Sequence, residues 1–338
     1  MLPDSEIQNA DVMEIALTLI AVTAIGIMGF ANQRGSICTV VAIERIVRAR
    51  RFDRLLALID VSFWVGGGLV ILNALGLLPA VPIGYTAGAL TILGGAVFGL
   101  GAFMNQACLL GTVARIGSGQ WAFLATPPGF YIGAMATRHL SYPAELMGTP
   151  LVLRLPEWSV PPIAALLLIR LVAYGRLLRR GDGTAGGRAW PPRVATAVMG
   201  VAFLATAVTV GRWSYSDILS DLAHGSAHAI GARLLLVAVL LGGAILGGWT
   251  AGLLKPVGPH LSTLSRCLAG GAIMGVGSAL IPGGNDGLVL MGMPLLWPYA
   301  WLAFVSMCLT IFSAAVVARR LARPSGKLGA NSPRTLDA

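Results

Sequence analysis

The chain has 338 residues, of which 56% are hydrophobic and only 11% are charged, and its mean hydropathy is +0.78. This composition leaves too little polar surface for a water-soluble domain. The net charge of +10 does not indicate a nucleic-acid partner, because the arginines cluster at the ends of apolar segments and form no basic stripe with exposed aromatic residues. We therefore predict an all-α polytopic membrane protein surrounded by a lipid bilayer.

Apolar runs of about 20 residues recur along the chain, long enough to cross about 30 Å of hydrocarbon at about 1.5 Å per helical residue. The first run has an acidic N-terminal flank instead of a basic one, so we expect a retained span and not a cleaved signal peptide. Nine spans are predicted, at residues 13–31, 55–78, 86–104, 120–137, 160–177, 194–212, 229–252, 265–281 and 297–318.

Three shorter apolar segments lie between these spans, at residues 35–47, 106–116 and 283–294. They are too short to cross a bilayer and too apolar for ordinary loops. Non-helical backbone at membrane depth is tolerated only where protein or a water-filled cavity surrounds it. The segments therefore predict short re-entrant helices inside the protein.

Four clusters of positive charge follow the first, fifth, seventh and ninth predicted spans. They consist of Arg45, Arg48, Arg50, Arg51 and Arg54, then Arg176, Arg179, Arg180, Arg188 and Arg193, then Lys255 and Arg266, and finally Arg319, Arg320, Arg323 and Lys327. With nine spans all four clusters lie on one side, which the positive-inside rule makes the cytoplasm. We predict a multi-pass protein of a bacterial-type inner membrane, with its N-terminus outside and its C-terminus in the cytoplasm.

A Gly/Arg-rich stretch at 181–193 divides the chain and is predicted to be a flexible cytoplasmic linker. The N-terminal membrane half then comprises residues 1–180 and the C-terminal half residues 194–323. The polar tail, 324–338, is predicted to be disordered.

An internal repeat relates residues 94–111, GGAVFGLGAFMNQACLLG, to residues 270–287, GGAIMGVGSALIPGGNDG, with six identical positions, five of them glycine. The copies lie in the third and eighth predicted spans, and this odd separation reverses their direction across the membrane. Transporters built from inverted repeats place their sites near the bilayer midplane, at broken helices. The repeat therefore predicts a path between 104–116 and 281–288.

The strings QRGSIC at 33–38, GGAVFGLGAFMNQACLLGTVARIGSG at 94–119 and GGAIMGVGSALIPGGNDG at 270–287 resemble the YeeE/YedE sulfur-transport family. The resemblance implies a permease for a small sulfur-containing anion, thiosulfate being the best-attested substrate, held in passing by thiol hydrogen bonds. It also implies a cytoplasmic partner, a small sulfur-carrier protein with a reactive cysteine. The positions that match are Cys38, Cys108, Gly111, Thr112, Arg115, Gly117 and Gly119.

The sequence departs from the family pattern in the second repeat, where Gly284 occupies the position of an expected cysteine. Asn285, or the backbone of Gly283 and Gly284, would then replace the third thiol. In the first repeat, Asn105-Gln106-Ala107 stands where glycines are usual.

Physical chemistry supports the same region as a substrate site. The N-terminus of a re-entrant helix directs free N–H groups toward an anion, and a thiol is a weak donor that binds a soft sulfur ligand without trapping it. Arg34 could line the cytoplasmic mouth or only anchor a helix end. The predicted substrate-binding residues are Cys38, Cys108, Arg34, Gly111, Gly283, Gly284 and Asn285.

Asp286 would repel an anion unless it is paired or protonated. It could be a gate, a proton site or a residue at the outer surface, and we favour the outer surface.

No pattern in the sequence indicates an enzyme, a catalytic residue, a cofactor or a metal site. Cys267 and Cys308 are predicted to be packing residues, and His224 and His228 a solvated pair without a third ligand. No Walker motif or set of nucleophile and base is present. Two alternatives to a thiosulfate permease remain open. One is a membrane-bound sensor of sulfur species or a partner subunit on the same scaffold, and the other is a permease for an unrelated small solute.

Overall fold

The computed structural model describes residues 4–78, 83–139, 143–146, 148–180, 189–211, 213–225 and 230–322. Most of the predicted linker, residues 181–188, and the predicted tail lie outside these described residues. The division into two halves thus remains a prediction. Within the described part, helices of the two proposed halves interleave, because α1 packs on α8 and α10 and α4 packs on α11 and α13.

The described chain is almost entirely helical. Its α-helices are α1 Asp4–Gly35, α2 Thr39–Ala49, α3 Asp53–Ala74, α4 Ala89–Asn105, α5 Leu109–Gly117, α6 Thr126–Ala136, α7 Val160–Arg180, α8 Pro192–Thr209, α9 Tyr215–His224, α10 Ile230–Thr250, α11 Leu261–Leu280, α12 Gly284–Gly287 and α13 Pro298–Leu321. Short 3₁₀ turns lie at Trp121–Ala125, Leu151–Arg154 and Glu157–Ser159, and a π-helical turn at Leu288–Gly292. Two short strands, β1 Gly84–Tyr85 and β2 Glu145–Leu146, pair antiparallel.

Seven helical segments of the described chain are long and apolar enough to cross a membrane, and an eighth results if the bent pair Leu261–Leu280 and Gly284–Gly292 is one span. The polytopic all-α fold is confirmed, whereas the count of nine is not. The difference lies at 120–137, where a 3₁₀ turn precedes the 11-residue helix α6. Proline in the first turn of α6 favours a helix start there and interrupts the apolar run.

Each of the three short apolar segments follows a helix break, and their re-entrant path through the membrane stays a prediction. By length and hydropathy, Val12–Ala49 and Ala89–Gly117 each qualify as one candidate span that includes its break. The third segment follows a bend of 47° between α11 and α12. All three are helix breaks inside the protein, which is the feature that positions the site.

Glycines bring α4 and α11 into close antiparallel contact. A Cβ on Gly277 would lie 2.6 Å from the backbone nitrogen of Phe98, and one on Gly101 would lie 2.8 Å from the carbonyl oxygen of Gly270. Small residues allow helix backbones to approach closely within a membrane. These helices contain most of the two predicted repeat copies, and they run in opposite directions. The repeat itself remains a prediction.

An ion pair between two candidate membrane spans attaches α7 to α3. The guanidinium of Arg170 contacts the carboxylate of Asp60, and the Tyr174 hydroxyl donates to Asp60 Oδ2 at 3.1 Å. Charged groups within a membrane protein are stable when they are paired in this way. Because α7 is otherwise largely exposed at the protein surface, this cluster fixes its position.

Candidate functional site

The breaks that begin α2, α5 and α12 meet in the interior of the protein. Cys38 Sγ lies 3.7 Å from Cys108 Sγ, and the backbone N–H of Thr39 donates to Cys108 Sγ at 3.4 Å. The Thr39 hydroxyl donates to Asn285 Oδ1 at 3.3 Å. All four side chains are buried. Thr39 and Asn285, 246 positions apart in sequence, thus belong to one cluster.

Local backbone geometry explains why the thiols lie at helix starts. Ser36 and Gln106 have left-handed backbones, with φ of 47° and 62°, and they end α1 and α4. Two residues later, Cys38 and Cys108 are extended and act as the N-cap residues of α2 and α5. The first amides of each new helix therefore need an acceptor. One of these amides, that of Thr39, already donates to a thiol sulfur, the kind of atom that a sulfur-containing anion would present.

Gly111 makes room for the Cys38 side chain. A Cβ at Gly111 would overlap Cys38 Sγ and would lie 2.9 Å from Cys38 Cβ. Any larger residue at Gly111 would displace the thiol. The structure thus places Gly111 beside the two cysteines with which the sequence grouped it.

Gly284 has a backbone and surroundings that suit glycine and disfavour cysteine. Its φ is +49°, and a Cβ there would lie 2.6 Å from both the Cβ and the Oγ of Ser216. The preceding Gly283 also has a left-handed backbone, with φ of +98°. The glycine in place of a third cysteine is therefore accompanied by a close approach of α9.

Asn285 presents an amide donor at the position where the third thiol was expected. Its Oδ1 accepts from Thr39, whereas its Nδ2, also buried, has no hydrogen-bond partner within the described part of the chain. A buried donor without a partner is costly. The Asn285 amide is thus available to an acceptor brought by a ligand.

Asn105 supports the turn that carries Cys108. Its Nδ2 donates to the Ala107 carbonyl at 2.8 Å and to Thr112 Oγ1 at 3.1 Å, and its Oδ1 accepts from Thr126 Oγ1 at 3.0 Å. The sequence marked Asn105 only as a departure from glycine. An amide side chain within an apolar run is the feature of the sequence that could have indicated this supporting role.

Asp286 is not at the outer surface, which corrects the expectation from sequence. Its side chain is buried, and Oδ2 accepts the backbone N–H of Ser216 at 3.0 Å, whereas Oδ1 has no partner among the described residues. The Ser216 hydroxyl donates to the Gly283 carbonyl at 2.8 Å. The start of α9 therefore covers the break that begins α12.

Arg34 lies in the last turn of α1. Its Nη2 donates to Thr250 Oγ1 at 3.2 Å, and its guanidinium carbon lies 5.2 Å from the ring centroid of Phe30. Arg54, which sequence reasoning missed as a site residue, instead donates to the Ser36 carbonyl at 3.0 Å. Arg54 thus contacts the break between α1 and α2.

Cys267, Cys308 and His224 have surroundings other than this cluster. Cys267 is buried within α11, and Cys308 lines a cavity of about 990 Å³ between α2, α3 and α13. His224 Nδ1 lies 2.7 Å from the Ser220 carbonyl oxygen, and His228 lies outside the described residues. Within the described ranges, no group of three or more His, Cys, Asp or Glu residues could hold a metal ion.

Comparison with known proteins agrees with this architecture. The chain matches the family model described as sulphur transport over residues 34–313. It is 27% identical, over 336 aligned residues, to the thiosulfate transporter TsuA of Escherichia coli (strain K12), and the alignment covers 86% of this chain and 91% of that protein. The matched range contains both thiols and the Asn285 break. The chain therefore belongs to the sulphur transport family of membrane proteins.

Proposed function

We propose that this protein is a membrane permease for thiosulfate or a related small sulfur-containing anion. Membership of the sulphur transport family and the similarity to a thiosulfate transporter support this function. The observation that carries it is the pair of buried thiols, Cys38 and Cys108, facing each other 3.7 Å apart where two interrupted helices resume.

The substrate would be held by several weak donors in succession. The thiols of Cys38 and Cys108 and the amide of Asn285 offer hydrogen bonds, and the starts of α2 and α5 add the favourable end of a helix dipole. Transport requires binding that is strong enough for entry and weak enough for release. Gly111, Gly283 and Gly284 would shape this passage, and Arg34 would attract anions toward a mouth of the path.

Cys38, Cys108 and Asn285 are at most 5% exposed, so the cluster is closed to solvent in the described part of the chain. Four cavities of about 370 to 990 Å³ in that part are lined by residues other than Cys38 and Cys108. We therefore propose that transport separates the start of α9 from the α12 break to admit the anion.

We further propose an inner-membrane location with the N-terminus outside and the C-terminus in the cytoplasm. The arginine groups near the ends of α2 and α13 lie on one face, because Arg319 Nη1 donates to the Val47 carbonyl at 2.6 Å. Glycine contacts give parallel packing of α1 with α10 and antiparallel packing of α4 with α11. These directions agree with the alternation that the charges require if the chain also crosses the membrane at 120–137.

We also propose that the protein has no enzymatic activity and delivers its substrate to a cytoplasmic sulfur-carrier protein. The transport function of the relative supports the first statement. The second follows from the family resemblance. Pull-down of a carrier with a reactive cysteine by the intact membrane protein, and its loss when the cytoplasmic face is blocked, would test it.

Uptake of labelled thiosulfate into proteoliposomes tests the permease. We expect Cys108→Ala to reduce uptake by about tenfold or more, because a hydrogen bond to a charged group contributes about 1.5–3 kcal/mol and about 1.4 kcal/mol is a factor of ten. Competition by sulfite, sulfate and selenium analogues would define the substrate.

Cys267→Ala is the matched control, since Cys267 is equally buried but lies outside the cluster. Full uptake by Cys108→Ala would exclude the thiols as substrate donors. Specific binding by the wild type without any flux would instead support a sensor.

A further inference from the structure

Import of a divalent anion has an electrical cost. Moving two negative charges toward a negative interior costs about 4.6 kcal/mol per 100 mV, because each charge costs about 2.3 kcal/mol. Positive charge that crosses with the anion lowers this cost. A side chain at the site that binds a proton could carry such a charge.

Asp286 lies next to the proposed substrate donors. It follows Asn285, whose side chain accepts from Thr39 at the start of α2. Only 2% of the Asp286 surface is exposed, and its Oδ1 is buried without a hydrogen-bond partner among the described residues. The carboxyl group is thus in the interior, one residue from the cluster, with one oxygen free to hold a proton.

No fixed positive charge compensates Asp286 in the described part of the chain. The ion pairs found there involve Asp53, Asp60 and Asp221. The titratable groups facing its surroundings are Tyr215 and Asp217 of α9, at the covering segment, and the thiols of Cys38 and Cys108 at the starts of α2 and α5. None of these is a cation. A buried carboxylate without a cation is costly, and protonation removes that cost.

We propose that Asp286 binds a proton that crosses the membrane together with the anion, so that the permease is proton-coupled. This inference rests on the proposed function and adds its driving force. The proton reaches Oδ1 from the outer side while the start of α9 is displaced, and leaves to the cytoplasm after the anion. One proton per divalent anion halves the electrical cost of uptake.

The contact with α9 links the charge of Asp286 to access. Ser216 holds both sides of the break, with its N–H on Asp286 Oδ2 and its hydroxyl on the Gly283 carbonyl. A negative carboxylate strengthens a hydrogen bond from N–H, and a neutral acid weakens it. Protonation therefore stabilises the displaced position of the covering segment, in which the anion can enter.

The test uses full-length protein in proteoliposomes whose membrane potential is clamped to zero with potassium and valinomycin. Labelled thiosulfate uptake is measured with and without a pH gradient of one unit, acidic outside. Wild-type protein is expected to accumulate thiosulfate until its inside concentration is up to about tenfold higher than outside. The reason is that one proton moving down a gradient of one pH unit supplies about 1.4 kcal/mol. Asp286→Asn is expected to lose this accumulation but to retain exchange of labelled for unlabelled thiosulfate.

Asp217→Asn is the matched control, because Asp217 lies on the covering helix near Gly287 and is not buried. It should retain gradient-driven accumulation. If Asp286→Asn folds but does not exchange thiosulfate, Asp286→Glu is tested next. Accumulation of thiosulfate by Asp286→Glu supports the proposal. Exchange of thiosulfate by this variant without accumulation overturns it. Wild-type uptake that ignores the pH gradient overturns the proton coupling alone, whereas no uptake under any gradient overturns the permease itself.

Discussion

The first and second helix breaks of the predicted repeat are built in different ways. At 105–111, a buried amide network around Asn105 holds a turn that presents Cys108. At 281–287, two left-handed glycines form the turn, and Ser216 of α9 packs against it. The first break offers a thiol and is held by its own half of the chain, whereas the second offers an amide and a carboxyl group and is covered.

The two breaks therefore differ in the groups that they offer to an anion. The thiol side provides soft, weak donors that a sulfur atom can meet and leave. The covered side provides the groups whose charge can change and the segment that can move. An anion between them would contact both, because Thr39 and Asn285 already connect the two sides.

The largest expected effect is at Gly111 on the thiol side. Gly111→Leu should abolish thiosulfate uptake, because the new side chain occupies the space of Cys38 Sγ, and overpacking of an interior costs about 1–3 kcal/mol. Uptake in proteoliposomes and the melting temperature in detergent measure the two consequences. Gly242→Leu is the control, since a Cβ at Gly242 meets no other residue within 4 Å. Normal uptake by Gly111→Leu would show that the thiol cluster has ample free space.

A smaller loss of uptake, together with a loss of stability, is expected when the support of the first break is removed. Asn105→Ala should lower the free energy of unfolding by about 2–3 kcal/mol, because buried hydroxyl and carbonyl partners lose their hydrogen bonds. Thermal unfolding in detergent measures the change. Asn73→Ala is the comparison, since the Asn73 amide makes one long bond of 3.5 Å to the Leu153 carbonyl. Equal melting temperatures for the two variants would contradict the supporting role of Asn105.

The first break was more predictable from sequence than the second. An interrupted apolar run and the motif around Cys108 placed the thiol at a helix start, and the structure agrees. The contact of α9 with the second break was missed because Tyr215–His224 lies between the predicted spans 194–212 and 229–252 and carries the acidic residues Asp217 and Asp221. Its first turn packs inward through Tyr215 and Ser216, a tertiary contact that no local pattern encodes.

The 120–137 segment is a second feature of the fold that its apolar composition did not predict correctly. Its composition suits a span, but proline at the start of α6 divides it into a 3₁₀ turn and a short helix. The meeting of Thr39 with Asn285 spans 246 positions and depends on how the helices pack. The positions of helix breaks can thus be predicted from the sequence, whereas the residues that contact each break cannot.

The smallest expected effect tests why the second break lacks a thiol. Gly284→Cys should lower stability by about 1–2 kcal/mol and should not raise uptake, because a left-handed backbone disfavours a residue with a Cβ and Ser216 occupies the space. Adding Ser216→Gly removes the overlap but not the backbone strain. The double variant should therefore recover part of the lost melting temperature, while Ser216→Gly alone loses the hydroxyl bond to Gly283. Higher uptake by Gly284→Cys alone would mean that α9 already leaves room for a third thiol. Packing would then not explain why the second break lacks a cysteine.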